Sequence, residues 1–172
     1  MPSTYTLISS NVLSSSAASV TFSAIPSTYT DLVIRWSVRS TNASEFENII
    51  IEFNDDTATN YSRTSLSGSG SAASSNRASS ATTWNQAITN GANSTASTFG
   101  SGEVYIPNYT STANKAGSFF GVQETNATAA TIRANAYLYQ NSTAITKIKL
   151  SSANSENFVS GSSFYLYGIS KS

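Results

Sequence analysis

The side chains able to do acid–base or metal chemistry are few. The chain has no histidine and no cysteine. That removes the usual Ser-His-Asp hydrolysis, histidine-ligated zinc, thiol nucleophiles and disulfides together. A carboxylate pair acting on a glycosidic bond is the catalytic scheme left, with Glu45, Glu47, Glu52, Asp55, Asp56, Glu103 and Glu124 as its candidates. Nothing in their spacing sets two of them at the separation that chemistry needs, and the adjacent Asp55 and Asp56 point apart in extended chain. SGSGSA at 67–72 has no lysine to complete a phosphate loop. No catalytic residue and no cofactor is expected. Asn54, Asp55 and Asp56, followed by Thr57, gather hard oxygen ligands that could suit calcium, but they lack the ordered spacing of an EF-hand. The same residues make an ordinary turn whose side chains cap their own backbone, so they remain weak calcium candidates and no metal is expected.

What remains is binding. Trp84, Tyr5, Tyr105 and Tyr109 are the aromatic candidates for an interface or a ligand platform. Trp84 sits in a long Ser-, Gly-, Ala- and Asn-rich interval, residues 67–98, that reads as a loop. Loops of that length usually carry function or touch a partner. Trp84 there is either an anchor pinning the loop to the core or an exposed platform.

The elements holding these residues read as strands. Period-two alternation recurs along the chain and helical periodicity is missing. From Asp31 to Arg39, Leu32, Ile34, Trp36 and Val38 share one face, and the other carries Val33, Arg35, Ser37 and Arg39. Between Ala130 and Tyr139, Ile132, Ala134, Ala136 and Leu138 oppose Thr131, Arg133, Asn135 and Tyr137. The small alanines there imply close approach of an opposing sheet or of a neighbouring chain. Shorter sets follow at Tyr5–Leu7, Val20–Ala24, Ile49–Phe53, Tyr61–Leu66, Val104–Ile106, Phe120–Val122, Ile145–Leu150 and Phe164–Gly168. Pro26 ends one strand, and Gln140-Asn141-Ser142 reads as a hairpin between two others. The prediction is an all-β fold: one antiparallel, jelly-roll-like β-sandwich domain over residues 1–172, with about eight to ten strands.

Composition limits the partners. Charged residues make up 10% of the chain and the formal net charge is zero, against a usual charged share of about 25%. Ser, Thr and Asn supply roughly two-fifths of the residues. With no basic stripe, nucleic acid is not an expected partner. No apolar run reaches the ~18–20 residues of a membrane-spanning helix. MPSTYTLISS has neither the basic nor the apolar segment of a secretory signal, so synthesis in a cytoplasm is expected. A neutral surface of hydroxyls and amides is desolvated against a similar neighbour without stripping water from ions. That favours assembly.

Four segments carry a family resemblance. SSAASVTFSAIPSTYTDLVIRWSVRS comes first, then IIIEFNDDTATNYSRTSLSGSGSAASS, VYIPNYTSTANK and STAITKIKLSSANSENFVSGSSFYLYGI. Together they resemble virion proteins of tailed bacteriophages of the marine and cyanobacterial type, which share FNxDTxxNYS, IPNYxST and C-terminal NFxxGSxFxLYGI blocks. The likeness spans most of the chain except Asn76 to Ser97, and Asp55 stands where glycine is common. The resemblance implies a virion structural protein, on the capsid exterior or the tail. A capsid decoration, or cement, protein that binds the major capsid protein is the reading taken, because the sequence shows no coiled-coil or collagen-like stalk to mount it on a tail. Its own copies are a further expected partner, as a homo-oligomer, with a trimer matching the threefold positions of a capsid. The alternative is a tail-fibre or baseplate domain binding host surface polysaccharide.

Overall fold

The computed structural model describes residues 4–126 and 130–170. Twelve strands cross it: β1 (Tyr5–Val12), β2 (Ser19–Phe22), β3 (Asp31–Val38), β4 (Phe46–Phe53), β5 (Tyr61–Gly68), β6 (Ala73–Ala81), β7 (Trp84–Asn90), β8 (Gly100–Ile106), β9 (Lys115–Gln123), β10 (Thr131–Tyr139), β11 (Ile148–Ser152) and β12 (Ser163–Ile169). No helix forms among the described residues. An eight-stranded sheet has the order β1-β12-β3-β8-β9-β10-β5-β6, and a four-stranded sheet has the order β2-β11-β4-β7. Every strand pairing is antiparallel. The expected antiparallel β-sandwich is the fold, with twelve strands rather than eight to ten.

Alternation explains the strongest elements. In β3, Leu32, Ile34, Trp36 and Val38 are buried while Arg35 and Ser37 face solvent. Val33, on the outer side of the same strand, is also buried, because it lies in register between Tyr105 of β8 and Tyr167 of β12. Ile49, Ile51 and Phe53 of β4 and Ile148 and Leu150 of β11 supply the opposing inner face. Aromatic rings bridge the sheets. Trp84 of β7 stacks on Tyr137 of β10 at 4.7 Å and Phe53 of β4 meets Tyr139 of β10 at 5.2 Å, while within one sheet Trp84 meets Phe53 edge-on at 4.7 Å and Trp36 stacks on Phe119 at 5.5 Å. Such offset and edge-on pairs add to the energy of burial itself. A Cβ on Gly117 would fall 2.6 Å from the Trp84 ring, so only glycine lets β9 pass that indole.

Two expectations about connections are corrected. The 67–98 interval is largely strand, since it contains β6 and β7. β6 is solvent-exposed on both faces, with only Ala78 and Ala81 half-buried. It is held by its backbone ladder to β5 and needs no apolar alternation. β7 does bury Trp84, Ala87 and Ile88, but Gln86 adopts φ 69 and the register with β4 slips between Ile49 and Ile51, which breaks the period. Nor is Gln140-Asn141-Ser142 a hairpin. β10 pairs with β5 and β9, whereas β11 pairs with β2 and β4 in the other sheet. The segment crosses between sheets and is pinned by buried Ile145.

Candidate functional site

The aromatic candidates do not converge. Trp84 is fully buried, and its indole N–H donates to the Leu138 carbonyl at 3.0 Å. It is a core residue joining the sheets, not an exposed platform. Tyr109 is equally buried and donates its hydroxyl to the Pro26 carbonyl. Tyr105 and Tyr5 lie on the outer face of the eight-stranded sheet. Tyr105 donates to Asp31 Oδ2 at 2.8 Å, and that bond, reinforced by partial burial, pushes its phenol up to about 12. Tyr5 is 47% exposed, meets Tyr167 edge-on at 6.4 Å and lies 5.8 Å beneath the Arg35 guanidinium.

The oxygens of the 54–56 turn are committed to the fold. Asn54 and Asp55 take left-handed backbone, φ 53 and 57, a conformation that Asn and Asp tolerate better than most residues. Asn54 Oδ1 accepts from the Thr146 and Lys147 N–H groups at 2.9 and 3.1 Å, and Asp55 pairs with Lys147 at 2.7 Å. Partial burial would raise the Asp56 carboxyl. Hydrogen bonds from Asn60, the Ala58 N–H, Tyr139 and Asn141 outweigh it and lower the pKa from 3.8 to about 2. Among the described residues no three His, Cys, Asp or Glu side chains gather as a metal site. Glu47, buried, accepts from Ser152 Oγ at 2.6 Å and Asn154 at 3.0 Å, and Glu103 is held by Arg35 at 2.6 Å.

A different feature stands out: the outer face of the eight-stranded sheet. Antiparallel register lines up residues across all eight strands. One row runs Ser10, Tyr165, Arg35, Glu103, Phe120, Ala134, Leu66, Ser75. The row beside it runs Leu7, Tyr167, Val33, Tyr105, Ser118, Ala136, Thr64, Arg77. On the other side lies Val12, Ser163, Ser37, Ser101, Val122, Ile132, Gly68, Ala73. The only charges in these three rows are the mutually neutralised Arg35–Glu103 pair and Arg77 on edge strand β6. Phe120 is 56% exposed, Leu66 60% and Ile132 48%. With Ala134 and Ala73 they line an apolar depression of about 280 Å³.

β10 sets this face, and of the two readings of its alanines the close approach of an opposing sheet is overturned. Its alanine row points to solvent, not to the opposing sheet, and the polar row Arg133, Asn135 and Tyr137 points inward. Burial of that polar row is made tolerable by hydrogen bonds. Asn135 donates to Tyr137 Oη at 2.7 Å and to the Gln86 carbonyl at 3.1 Å, and Tyr137 donates to the Asn85 carbonyl at 2.6 Å. Leu66, Phe120 and Ile132 are the site residues that sequence reasoning does not single out. The signal available for them is the run of alanines between Ile132 and Leu138.

No protein-family model and no curated protein matches this sequence. The geometry of the face is therefore the main guide to what the molecule does.

The face has the size of a working interface. Seven inter-strand gaps of about 4.8 Å and about 20 Å of strand length give roughly 700 Å², near the ~800 Å² that each partner contributes to a standard protein–protein contact. Its chemistry, an apolar centre with few charges, is that of an interface core.

Proposed function

We propose that this chain is a virion structural protein of a tailed bacteriophage, a capsid decoration protein that lays the outer face of its eight-stranded sheet on the major capsid protein. One observation carries the reading: Phe120, Leu66, Ile132 and the alanines of β10 form an exposed apolar, uncharged surface on a rigid sheet. Contiguous apolar patches of that kind mark association sites. Covering its apolar centre removes no ion from water, since the Arg35–Glu103 pair lies at its border and Arg77 on edge strand β6.

The resemblance to phage virion proteins supports the same reading, and its blocks lie where the fold is fastened. FNDDTATNYS contains the Asp56 hub and Tyr61, whose hydroxyl donates to the Asp56 carbonyl at 3.1 Å. IPNYTST contains the buried Tyr109, and NFVSGSSFYLYGI contains buried Phe158, Phe164 and Leu166. These blocks encode the sandwich, while the outer rows supply the contact. A homo-oligomer, trimeric at a threefold position, places several copies of the face around one site.

Quantitative mass spectrometry and labelled electron microscopy of intact particles test the proposal. A copy number on the order of hundreds, on the capsid exterior, is the expected result. A handful of copies confined to the tail would replace it with the fibre reading. Native mass measurement tests the oligomer, and a monomer both free and on the particle would overturn it.

A further inference from the structure

At the rim where β5 and β6 overhang β4 and β7, two arginines lie on the inner side without any acid to pair with. Arg133 is only 9% exposed. Its Nε donates to Ser67 Oγ at 2.9 Å, and Nη1 donates to Asn48 Oδ1 at 2.7 Å and to the Gln86 carbonyl at 3.3 Å. All three acceptors are neutral, and Nη2 has no acceptor among the described residues. Arg63, opposite Tyr137 further along the same strand pair, is partly buried, with one bond of 3.5 Å to Asn76 and its Nε buried without a partner. The ion pairs among the described residues are Arg35–Glu103 and Lys147–Asp55, both elsewhere. Guanidinium groups stay charged in proteins, and a buried charge without a counter-charge is costly. Burial lowers the pKa of both arginines, and the charge of Arg63 lowers that of Arg133 further.

The cavity beside Arg133 is about 310 Å³ and mostly polar, at the lower end of the ~300–1,000 Å³ typical of ligand sites. Asn76, Gln86, Asn48 and Ser74 line it with amides and a hydroxyl. Phe46 adds an aromatic face, 37% exposed and capped on one side by the Arg133 guanidinium at 5.9 Å. Gln86 is held in left-handed backbone, φ 69, a strained state for a non-glycine residue. In that state its carbonyl meets Arg133 and Asn135 and its side-chain oxygen accepts from Asn76 at 3.3 Å.

We infer that this cavity binds an acidic sugar residue, a uronate, with its carboxylate on Arg133 and its hydroxyls on the surrounding amides. Arginine's planar fork matches a carboxylate. The amide and hydroxyl lining matches a polyol, whereas an acidic peptide side chain would leave most of it unpaired. The cavity lies at the rim and adjoins the outer rows only through Gly68; the inference rests on inner-side groups and not on the capsid-docking reading, and its test needs no particle.

The test is an NMR titration of the whole chain with D-glucuronate, run in parallel with D-glucose and acetate. Glucuronate is expected to shift the Arg133, Asn76 and Gln86 signals and to bind at least ~10-fold more tightly than either control, because glucose lacks the carboxylate for Arg133 and acetate lacks the hydroxyls for the amides. Arg133→Gln, shown by melting to be folded, should abolish binding. Asn76→Ala, on an exposed strand and safe for folding, should weaken it and carries the test if Arg133→Gln unfolds. No shifts, acetate binding as tightly as glucuronate, or unchanged affinity in these folded variants would overturn the inference.

Discussion

In the β12–β3–β8 half of the large sheet, Leu166, Ile34 and Val104 are buried against the small sheet while Tyr165, Arg35 and Glu103 face out. In the β10–β5 half, Asn135, Arg133 and Ser65 are buried, while Ala134, Leu66 and the neighbouring Phe120 face out. The first half is stabilised by removing apolar surface from water. The second gives up part of that gain and depends on a hydrogen-bond network, with its apolar side still to be covered. On the proposed reading, such a sheet draws its apolar core from one half and offers the other half for association.

The comparison breaks most visibly at the aromatic seam that joins the β10–β5 half to the small sheet. Trp84→Ala removes the indole stacked on Tyr137 and should cost about 3–5 kcal/mol in chemical denaturation, the range for truncating a buried tryptophan. A loss under about 1 kcal/mol would mean that the seam does not join the sheets.

Next in size is the polar interior. Asn135→Ala leaves Tyr137 and the Gln86 carbonyl each short of a partner and should cost about 1–3 kcal/mol. A neutral result would show that the β10–β5 interior is not held by its network.

The acid limb sharpens the comparison where β10 ends at Tyr139. Asp56 has a folded pKa of about 2, below its ordinary 3.8. Its stabilising contribution is therefore present above 3.8 and is lost as pH falls through the folded value. Melting temperature between those two pH values should drop more steeply in the natural protein than in Asp56→Asn. Parallel acid limbs would remove Asp56 as the hub.

The smallest stability effect is expected on the outer rows. Phe120→Ser and Leu66→Ser should change folding free energy by no more than about 0.5 kcal/mol, yet reduce association with the particle. A large destabilisation would mean that the face belongs to the core after all.

The two halves also differ in how much the sequence tells. β3, β4 and β12 are legible because one face is apolar and the other polar, and burial follows the apolar one. In β10 the alternation is equally clear and pairs the right residues on each face, but it does not say which face the four-stranded sheet covers. A row of Ile and Ala against a row of Arg, Asn and Tyr reads naturally as inside against outside, and the hydrogen bonds that reverse it come from Gln86 and Asn85, about fifty residues away. Phe119 and Phe120 pose the same question, since adjacent residues in a strand must take opposite faces. β6 leaves no trace because neither of its faces is buried. The arginine cavity is hidden for a different reason: Arg133 meets Ser67, Asn48 and Gln86 only once β10 is paired with β5 and packed on the small sheet.

The central claim is that the β9–β10–β5 outer face is covered in the working assembly. Because the chain has no cysteine, single thiols can be placed at Phe120 and, as a control, at exposed Thr57, and their maleimide labelling compared in free and particle-bound protein. Labelling at position 120 should slow at least ~10-fold on the particle, with position 57 unchanged. Equal labelling at position 120 in both states would contradict the account.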